Sequence, residues 1–281
     1  MTTARADQRR HYFSFDIDST LIPSRTDDDR AYTEDDVVQF AERNPALVDQ
    51  FIALLRQART AGGHAVLNSG RDHEFCKIVA EVICGDQVDA IVSESGCGLL
   101  VRSGAQFSDL ALSPDVRPHT VEALNGVRTY MNHEVATRYG AQARRKQFTL
   151  SFARPSHIVA DTFDKNVRRL LYDRLPQIVG LVDQFNTRYS VDFVPKGADK
   201  GKALLRYIER CGDRREEVSV IAAGDAQSDL PTFAVADIVI MAQQAPHELR
   251  KAVFQRRNFL CCTAQTPYLG GITRELARFV R

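Results

Sequence analysis

The sequence contains no run of about eighteen apolar residues, the length that a helix needs to cross a bilayer. It also has no surplus of one charge, because 37 lysine and arginine residues are balanced by 36 aspartate and glutamate residues, for a formal net charge of +1. No overall field therefore favours nucleic acid or an anionic membrane surface, and we expect neither as a partner. The opening segment MTTARADQRR lacks the apolar core of a secretion signal, so we expect a cytoplasmic protein.

The cysteines have neither the paired CxxC spacing of a zinc site nor the density of a secreted disulfide scaffold. We predict free thiols at positions 76, 84, 97, 211, 261 and 262. The chain also lacks an internal repeat, a low-complexity tract and a linker rich in proline and glycine. With 281 residues, of which 44% are hydrophobic, it is long enough for one large domain or two linked ones.

Strand and helix patterns alternate at both ends of the chain. A buried strand at 12–16 precedes an amphipathic helix at 46–60 and a strand at 64–68, which together form a βαβ unit. The other elements predicted in these regions are a helix at 72–84, a strand at 89–93, a hairpin around 99–101, a strand at 218–225, a short helix from about Ser228, a strand at 236–242 and a helix at 247–254. This alternation predicts an α/β protein with a doubly wound, mostly parallel, Rossmann-like sheet.

The middle of the chain has a different pattern. Its predicted elements are a helix at 119–132, a strand at 146–153, a helix at 160–174 and a strand pair within 178–194. This mixture predicts a small α+β insert with an antiparallel sheet. We therefore divide the chain into a core, residues 1–112 and 190–281, and an inserted domain, residues 113–189.

Acidic and hydroxyl side chains cluster where three core strands are predicted to end. The first strand ends in Asp16, Asp18 and Thr20, the second in Asn68, Ser69, Gly70 and Arg71, and the third in Gly224 and Asp225, with Asp229 one turn later. Ligands of open α/β sheets bind at these strand ends, and hard oxygen ligands suit Mg²⁺, which relieves the repulsion between carboxylates. A lysine at the helix start within residues 194–205, VPKGADKGKALL, can bring positive charge to a phosphate. These groups together indicate phosphoryl transfer.

Four short motifs carry this chemistry: DIDST at 16–20, LNSGR at 67–71, KGADKG at 196–201 and GDAQSD at 224–229. In content and order they resemble the motifs of haloacid dehalogenase (HAD) superfamily phosphatases. The insert falls between the second and third motifs, which resembles the C2-capped branch. That branch includes sugar phosphatases, trehalose- and sucrose-phosphate phosphatases, mannosylglycerate-phosphate phosphatase and phosphomannomutase. The resemblance implies a HAD-type catalytic core and a cap that selects the substrate. Many of these relatives have glycine where this chain has Ser19, and Ser228 replaces a frequent asparagine.

The resemblance also implies a two-step hydrolysis. Asp16 would attack phosphorus to form an aspartyl phosphate, dividing one difficult hydrolysis into two easier displacements. Asp18 would protonate the leaving oxygen and then deprotonate the incoming water. Mg²⁺ is the implied cofactor, held by the Asp16 side chain, the Asp18 backbone carbonyl and Asp225, with Asp229 either binding it or supporting its ligands.

The remaining implied groups bind the phosphate or the leaving group. The phosphate would be bound by Thr20, Ser69, Gly70 and Lys200, with Lys196 and Lys202 as alternatives to Lys200. The candidate contacts of the leaving group are Arg71, Arg144, Arg154 and Lys196. Charged cap residues more often form a solvated face, which is the simpler interpretation for most of them. The segment ESGCG, residues 94–98, resembles the start of a hairpin that faces the cap.

Three functions remain open from the sequence. The first is a Mg²⁺-dependent phosphatase for a small phosphorylated metabolite, most simply a sugar phosphate or a phosphorylated sugar acid. The second is a phosphomutase of the phosphomannomutase kind, and the third is a non-catalytic binding protein with the same fold. A nucleotide-binding P-loop is disfavoured, because GADKGKA has the wrong spacing and alanine where a hydroxyl is needed. A homodimer is also left open.

Overall fold

The computed structural model describes residues 9–25, 32–108, 110–186, 189–255 and 260–280. The first region contains β1 (Arg10–Phe15), α1 (Glu34–Arg43), α2 (Pro45–Thr60), β2 (His64–Asn68), α3 (His73–Val82), β3 (Ala90–Ser93), β4 (Gly98–Ser103), β5 (Gln106–Phe107) and β6 (Ala111–Leu112). The middle contains α4 (Pro118–Tyr139), β7 (Leu150–Ala153), α5 (Ala160–Arg174), β8 (Val182–Asn186) and β9 (Ser190–Pro195). The last region contains α6 (Lys200–Arg210), β10 (Val218–Gly224), α7 (Leu230–Ala234), β11 (Ile238–Met241), α8 (His247–Phe254), β12 (Leu260–Thr263) and α9 (Tyr268–Leu276).

The larger sheet has the strand order β12-β11-β10-β1-β2-β3-β4-β5, with β6 beside β4. The strands from β12 to β3 are parallel, and β4 turns back antiparallel to β3. Because β1 lies between β10 and β2, the carboxyl ends of these three strands meet at one edge of the sheet. The predicted doubly wound α/β fold is therefore confirmed, and the order of the strands brings the motifs together.

Helices cover both faces of this sheet, and the central strand contributes to both hydrophobic cores. Phe13 and Phe15 of β1 pack in the core that includes Phe51 of α2. Tyr12, which points to the opposite face, packs in the core that includes Leu204 of α6 and Phe233 of α7. Burial on both faces explains why the neighbouring residues Tyr12 and Phe13 of β1 are both aromatic, instead of one apolar and one polar. The strand is thereby fixed firmly in the middle of the molecule.

The smaller sheet has the order β7-β9-β8 and is antiparallel. Its core joins Phe152 of β7 and Phe193 of β9 to Met131 of α4 and Phe163 of α5. The α+β character predicted for the middle of the chain is present. Strand β9 begins after residue 189, the predicted end of the insert, although it pairs with β7 and β8 in the smaller sheet. The division into a core and a cap at residues 113–189 stays a prediction.

Two elements of the middle region differ in length from the prediction. Helix α4 continues past residue 132 to Tyr139, where Gly140 ends it in the left-handed conformation with φ of 63°. Strand β7 begins at Leu150 rather than at residue 146. The preceding amides, from Gln147 to Thr149, donate to a side chain of the core instead of to a strand.

The sequence prediction did not include α1, β12 and α9. In the described ranges, no helix combines the length and the apolar composition that crossing a membrane requires.

Candidate active site

The loop after β1 turns sharply and brings two carboxylates to the edge of the sheet. The Asp16 amide still donates to Ala223 of β10 at 3.0 Å, so its carboxylate starts from a fixed strand end. The chain then turns, and the Leu21 amide donates to Ile17 at 2.9 Å. Ser19 has φ of 59°, the left-handed region that glycine occupies most easily. The serine that departs from the common pattern thus occupies a position where the turn favours glycine.

Lys200 joins two of the carboxylates. It is the first residue of α6, its side chain is buried, and its Nζ lies 2.7 Å from Asp16 Oδ1 and 2.7 Å from Asp229 Oδ1. Burial alone would lower the pKa of Lys200, but the charges of Asp16 and Asp229 outweigh it and raise the pKa. The alternative lysines, Lys196 and Lys202, are exposed. The buried ammonium is therefore the one that meets Asp16.

Asp229 fixes the next loop as well as the lysine. Its Oδ2 accepts hydrogen bonds from the backbone amides of Asp225 and Ala226, each at 3.0 Å. Since its Oδ1 accepts from Lys200, both of its oxygens are already bound within the protein. A Cβ at Gly224 would lie 2.6 Å from Asp229 Oδ2, so only glycine leaves room for this arrangement. Asp229 therefore orients Lys200 through one oxygen and the backbone at Asp225 and Ala226 through the other.

Asp16, Asp225 and Asp229 each place one carboxylate oxygen within 4.8 Å of the others. Burial, followed by the charge of Asp229, raises the pKa of Asp16 to about 7. Burial and the charges of Asp16 and Asp229 raise the pKa of Asp225 to about 9. A cation between these carboxylates would remove that penalty, and an all-oxygen donor set fits a hard ion such as Mg²⁺. The residues present thus fit the predicted cofactor.

The side chain of Asp18 does not join this cluster but pairs with Arg71. The guanidinium donates from Nε to Asp18 Oδ2 at 2.7 Å and from Nη2 to Asp18 Oδ1 at 2.6 Å. Its Nη1 donates to the carbonyl oxygen of Tyr32 at 3.0 Å. Burial would raise the pKa of Asp18, but the charge and hydrogen bonds of Arg71 outweigh it and hold the pKa below its usual range. Arg71, predicted as a contact of the leaving group, binds a predicted catalytic residue here.

The residues predicted to bind phosphate lie around the same strand ends. Thr20 is fully buried, with its Oγ1 3.5 Å from Asp225 Oδ1. Ser69 is also buried, and its Oγ accepts from the Arg71 amide at 3.2 Å. Gly70 is exposed at the mouth of the site. The geometry thus places two hydroxyls and one backbone turn beside the carboxylates.

Asn68 connects the second strand to the lysine helix. Its Nδ2 lies 3.1 Å from the backbone oxygen of Lys200, 3.3 Å from Ser14 Oγ and 3.2 Å from Thr232 Oγ1. One buried amide therefore ties β1, β2, α6 and α7 together at the site. The sequence places Asn68 at a strand end but does not reveal this function.

The structure separates the candidate contacts of the leaving group. Arg154 forms a buried ion pair with Asp164 of α5, with Nε 3.1 Å from Oδ1, so its charge is used inside the smaller unit. Lys196 is exposed. Arg144, in contrast, is half-buried and close enough to Asp18 and Arg71 for their charges to act on it. Arg71 and Arg144 are thus the candidates that the fold brings to the acidic loop.

Glu94 is a contact that the sequence analysis did not identify. It lies in the turn after β3, is fully buried and has φ of 48°. Its carboxylate accepts from the amides of Gln147 at 2.7 Å, Phe148 at 2.9 Å and Thr149 at 2.9 Å, and from the Thr149 hydroxyl at 2.9 Å. A lone glutamate directly after an apolar strand was the available signal. It joins the core to the smaller unit beside the site.

The sequence of residues 141–254 matches the family of haloacid dehalogenase-like hydrolases. The matched segment makes up less than half of the chain and includes the third and fourth motifs, KGADKG and GDAQSD. The resemblance to HAD phosphatases that the four motifs indicate is confirmed, and so is the predicted enzyme class, a phosphoric monoester hydrolase. No curated protein matches the chain in sequence.

Solved structures share the fold of this hydrolase over nearly its whole length. The sucrose-phosphatase of Synechocystis sp. PCC6803 is 15% identical with a TM-score of 0.57, and the match covers 96% of this chain and 98% of that one. A haloacid dehalogenase-like hydrolase from Bacteroides thetaiotaomicron is 17% identical with a TM-score of 0.59, covering 96% and 100%. The trehalose-6-phosphate phosphatase of Aspergillus fumigatus is 15% identical with a TM-score of 0.50, covering 97% and 93%. The shared fold thus includes the smaller unit as well as the core.

Proposed function

We propose that this hydrolase is a Mg²⁺-dependent phosphatase of a small phosphorylated metabolite, a sugar phosphate or a phosphorylated sugar acid. The observation that carries the proposal is the buried contact of Lys200 with Asp16 and Asp229, beside Asp225, at the carboxyl ends of β1 and β10. Two of the structures that share the fold are named for sucrose phosphate and trehalose 6-phosphate chemistry, which supports a sugar phosphate here.

Asp16 is the proposed nucleophile. Its Oδ1 is bound by Lys200, and among the described residues its Oδ2 accepts no hydrogen bond. One carboxylate oxygen of Asp16 forms a bond to phosphorus while the bond from phosphorus to the leaving oxygen breaks, giving an acyl phosphate and an alcohol. Water then attacks phosphorus, the acyl phosphate bond breaks, and phosphate leaves with the Asp16 carboxylate restored. Lys200 favours the ionised form of Asp16 and holds its carboxylate in place for the attack.

The cation would be held by Asp16 and Asp225, which lie within reach of each other and repel each other without it. When bound, Mg²⁺ supplies charge that offsets the two carboxylates and the transferring phosphate. Asp229 supports these ligands rather than replacing them, since its oxygens are bound to Lys200 and to two backbone amides. Thr20 and Ser69 are the proposed hydrogen-bond donors to the phosphoryl oxygens.

Asp18 is the proposed acid and base. While Arg71 binds it, Asp18 is ionised, so it first has to take up a proton, which it then donates to the leaving oxygen in the first step. In the second step the ionised Asp18 removes a proton from the attacking water. Both of its oxygens are bound by Arg71, so one of them has to be released before it can face the leaving group. An arriving anionic substrate provides another partner for Arg71. We therefore propose that substrate binding draws Arg71 away from Asp18.

Release of inorganic phosphate from a panel of phosphorylated metabolites tests the proposal. With Mg²⁺, the protein should hydrolyse at least one sugar phosphate, and EDTA should abolish the reaction. Asp16→Asn should lower kcat by ~10³-fold or more, because it removes the nucleophile. Asp49→Asn, which alters an exposed carboxylate of α2, is the matched control and should leave kcat unchanged. Full activity of Asp16→Asn, or transfer of phosphate to a second hydroxyl without its release, would refute the proposed reaction.

A further inference from the structure

A segment of the smaller unit reaches the mouth of the proposed active site. We name residues 142–149, between α4 and β7, the strap. At one end, Ala143 bridges antiparallel to Phe152, and the Arg144 amide donates to Ser151 at 2.8 Å. Near its middle, Lys146 donates from Nζ to the backbone oxygen of Gly70. The strap is therefore attached both to β7 and to the second strand-end motif of the core.

The other end of the strap is bound by Glu94. This buried carboxylate accepts from three consecutive strap amides and from one hydroxyl. Hydrogen bonds to a charged group are stronger than neutral ones, and several that converge on one carboxylate restrict the segment further. Arg144 lies between two fixed points, the pairing with β7 and the bonds to Glu94. Its position at the site is thus set before any substrate arrives.

Arg144 has no partner that neutralises it in the described part of the chain. Burial, followed by repulsion from Arg71, lowers its pKa, while Asp192 and Asp18 attract it without forming an ion pair. Arg71 and Asp18 are already paired with each other. Within this group the guanidinium of Arg144 is left half-buried, adjacent to another cation and without a hydrogen bond from its side chain. Such an arrangement is costly unless an anion binds there.

The location of Arg144 distinguishes between two ends of a substrate. Through Lys146 the strap meets the core at Gly70, next to Arg71, whose guanidinium binds Asp18. Arg144, two residues before Lys146, is accordingly among the charges that act on Asp18. Asp16 is the proposed attacker of phosphorus, and Asp18 is the proposed donor to the leaving oxygen. The strap therefore brings Arg144 to the side of the site where the alcohol portion of the substrate is expected, rather than to the transferred phosphate.

We propose that Arg144 binds an acidic group on the alcohol portion of the substrate, so that the preferred substrates are phosphomonoesters that carry a carboxylate or a second phosphate. The proposal rests on the proposed phosphatase function. A guanidinium binds either anion through two parallel hydrogen bonds, which also fixes the orientation of the alcohol. Lys146 adds a second positive charge on the same strap.

Matched pairs of substrates test this specificity. Sorbitol 6-phosphate with 6-phosphogluconate, both open chains, isolates a carboxylate, and fructose 6-phosphate with fructose 1,6-bisphosphate isolates a second phosphate. We expect kcat/KM of the wild type to favour the acidic member of one pair by ~10-fold or more, the gain from one charged hydrogen-bonded contact. Arg144→Gln should remove this preference through a higher KM for the acidic member, with little effect on the neutral one. Arg145→Gln, at the adjacent exposed position, is the matched control and should preserve the preference.

Several outcomes would overturn the proposal. Equal kcat/KM within both pairs for the wild type excludes an acidic leaving group. An equal loss on both members in Arg144→Gln means that Arg144 binds the transferred phosphate instead. A preference that survives in Arg144→Gln means that another cation recognises the acid.

A binding measurement separates this proposal from the proposed function. Calorimetry with Mg²⁺ compares 6-phosphogluconate and fructose 1,6-bisphosphate with their neutral counterparts in the Asp16→Asn variant, where turnover is blocked. Tighter binding of an acidic member, lost when Arg144→Gln is added, supports acid recognition even if the wild type hydrolyses nothing. Equal binding of all four compounds overturns acid recognition even if the wild type is an active phosphatase.

Discussion

Glu94 is expected to hold the strap on the core, and replacing it with glutamine measures how strongly. Glu94→Gln keeps the shape of the side chain but turns one acceptor oxygen into a donor nitrogen. Four donors converge on the carboxylate, at 2.7, 2.9, 2.9 and 2.9 Å. In the better orientation of the amide, its oxygen keeps the contacts with Phe148 and Thr149 in weaker form, while its nitrogen faces the Gln147 amide.

The cost follows from these contacts. One charged hydrogen bond is lost and replaced by two opposed donors, and the others become neutral bonds, which together amount to ~3 kcal/mol. Glu94 is fully buried, so water cannot compensate for the lost acceptor. Glu94 also has φ of 48°, a conformation that is costly for a residue other than glycine. This backbone strain is the same for glutamine, so the predicted loss of stability comes from the hydrogen bonds alone.

Two measurements check the prediction. The free energy of unfolding in urea should fall by ~3 kcal/mol, and the amides of Gln147, Phe148 and Thr149 should exchange with solvent faster relative to the rest of the smaller unit. Glu122→Gln, which neutralises an exposed carboxylate of α4, is the control and should change neither quantity. If Glu94→Gln unfolds within ~0.5 kcal/mol of the wild type and the three amides exchange as before, the strap is not held by Glu94.

Three further predictions concern the core. A Cβ at Gly96 would lie 2.7 Å from the backbone nitrogen of Asp199, so Gly96→Ala should move the start of α6 and lower kcat/KM by ~10-fold or more. Gly126→Ala is the control, because a Cβ at Gly126 would meet only open space. Equal activity of the two variants would contradict the reasoning. Ser19→Gly should raise the free energy of unfolding by ~0.5–1 kcal/mol, because φ of 59° strains serine, whereas a decrease in urea denaturation would show that the serine hydroxyl matters more. Mg²⁺ at ~100 times its Kd should raise the free energy of unfolding by ~2.7 kcal/mol, and Asp225→Asn should abolish this gain. The pKa of Asp225 is raised to about 9 without a cation, so the metal-free protein should lose stability as pH rises from about 4 to 9. The increase in the free energy of unfolding that Mg²⁺ causes should therefore be larger at pH 8 than at pH 6. An increase independent of pH would argue against a metal site at Asp225.

Elements with strong periodicity and clear end signals could be predicted to the residue. The strand at 64–68, the helix at 160–174 and the helix at 247–254 have the predicted bounds. Two elements that were not predicted lack such signals. Helix α1, EDDVVQFAER, is mostly polar, and β12 is an edge strand of only four residues. Weak apolar patterns of this kind are fixed by packing against the rest of the fold, which a local pattern does not contain.

The same distinction applies to the candidate site. Asp16 and Asp225 could be placed together from the sequence because parallel strands bring their carboxyl ends to one edge. Lys200 follows the antiparallel strand β9, and it was assigned instead from its place at a helix start and from the resemblance of its motif. Their catalytic assignment stays a prediction. The pairing of Asp18 with Arg71 and the bonds of Glu94 to residues 147–149 could not be predicted. These contacts join distant parts of the chain without any periodic signal, and the apolar residues near 148 favoured a strand instead.

The amide of Asn68 makes the lysine's anchorage independent of the strap. It reaches the backbone oxygen of Lys200 from the end of β2, and the same nitrogen lies near Ser14 and Thr232. All of these partners belong to the sheet and to the helices next to it, and none to the smaller unit. An engineer who exchanges residues 142–146 for a sequence of different charge would therefore alter which alcohols are accepted while leaving the anchorage of Lys200 intact.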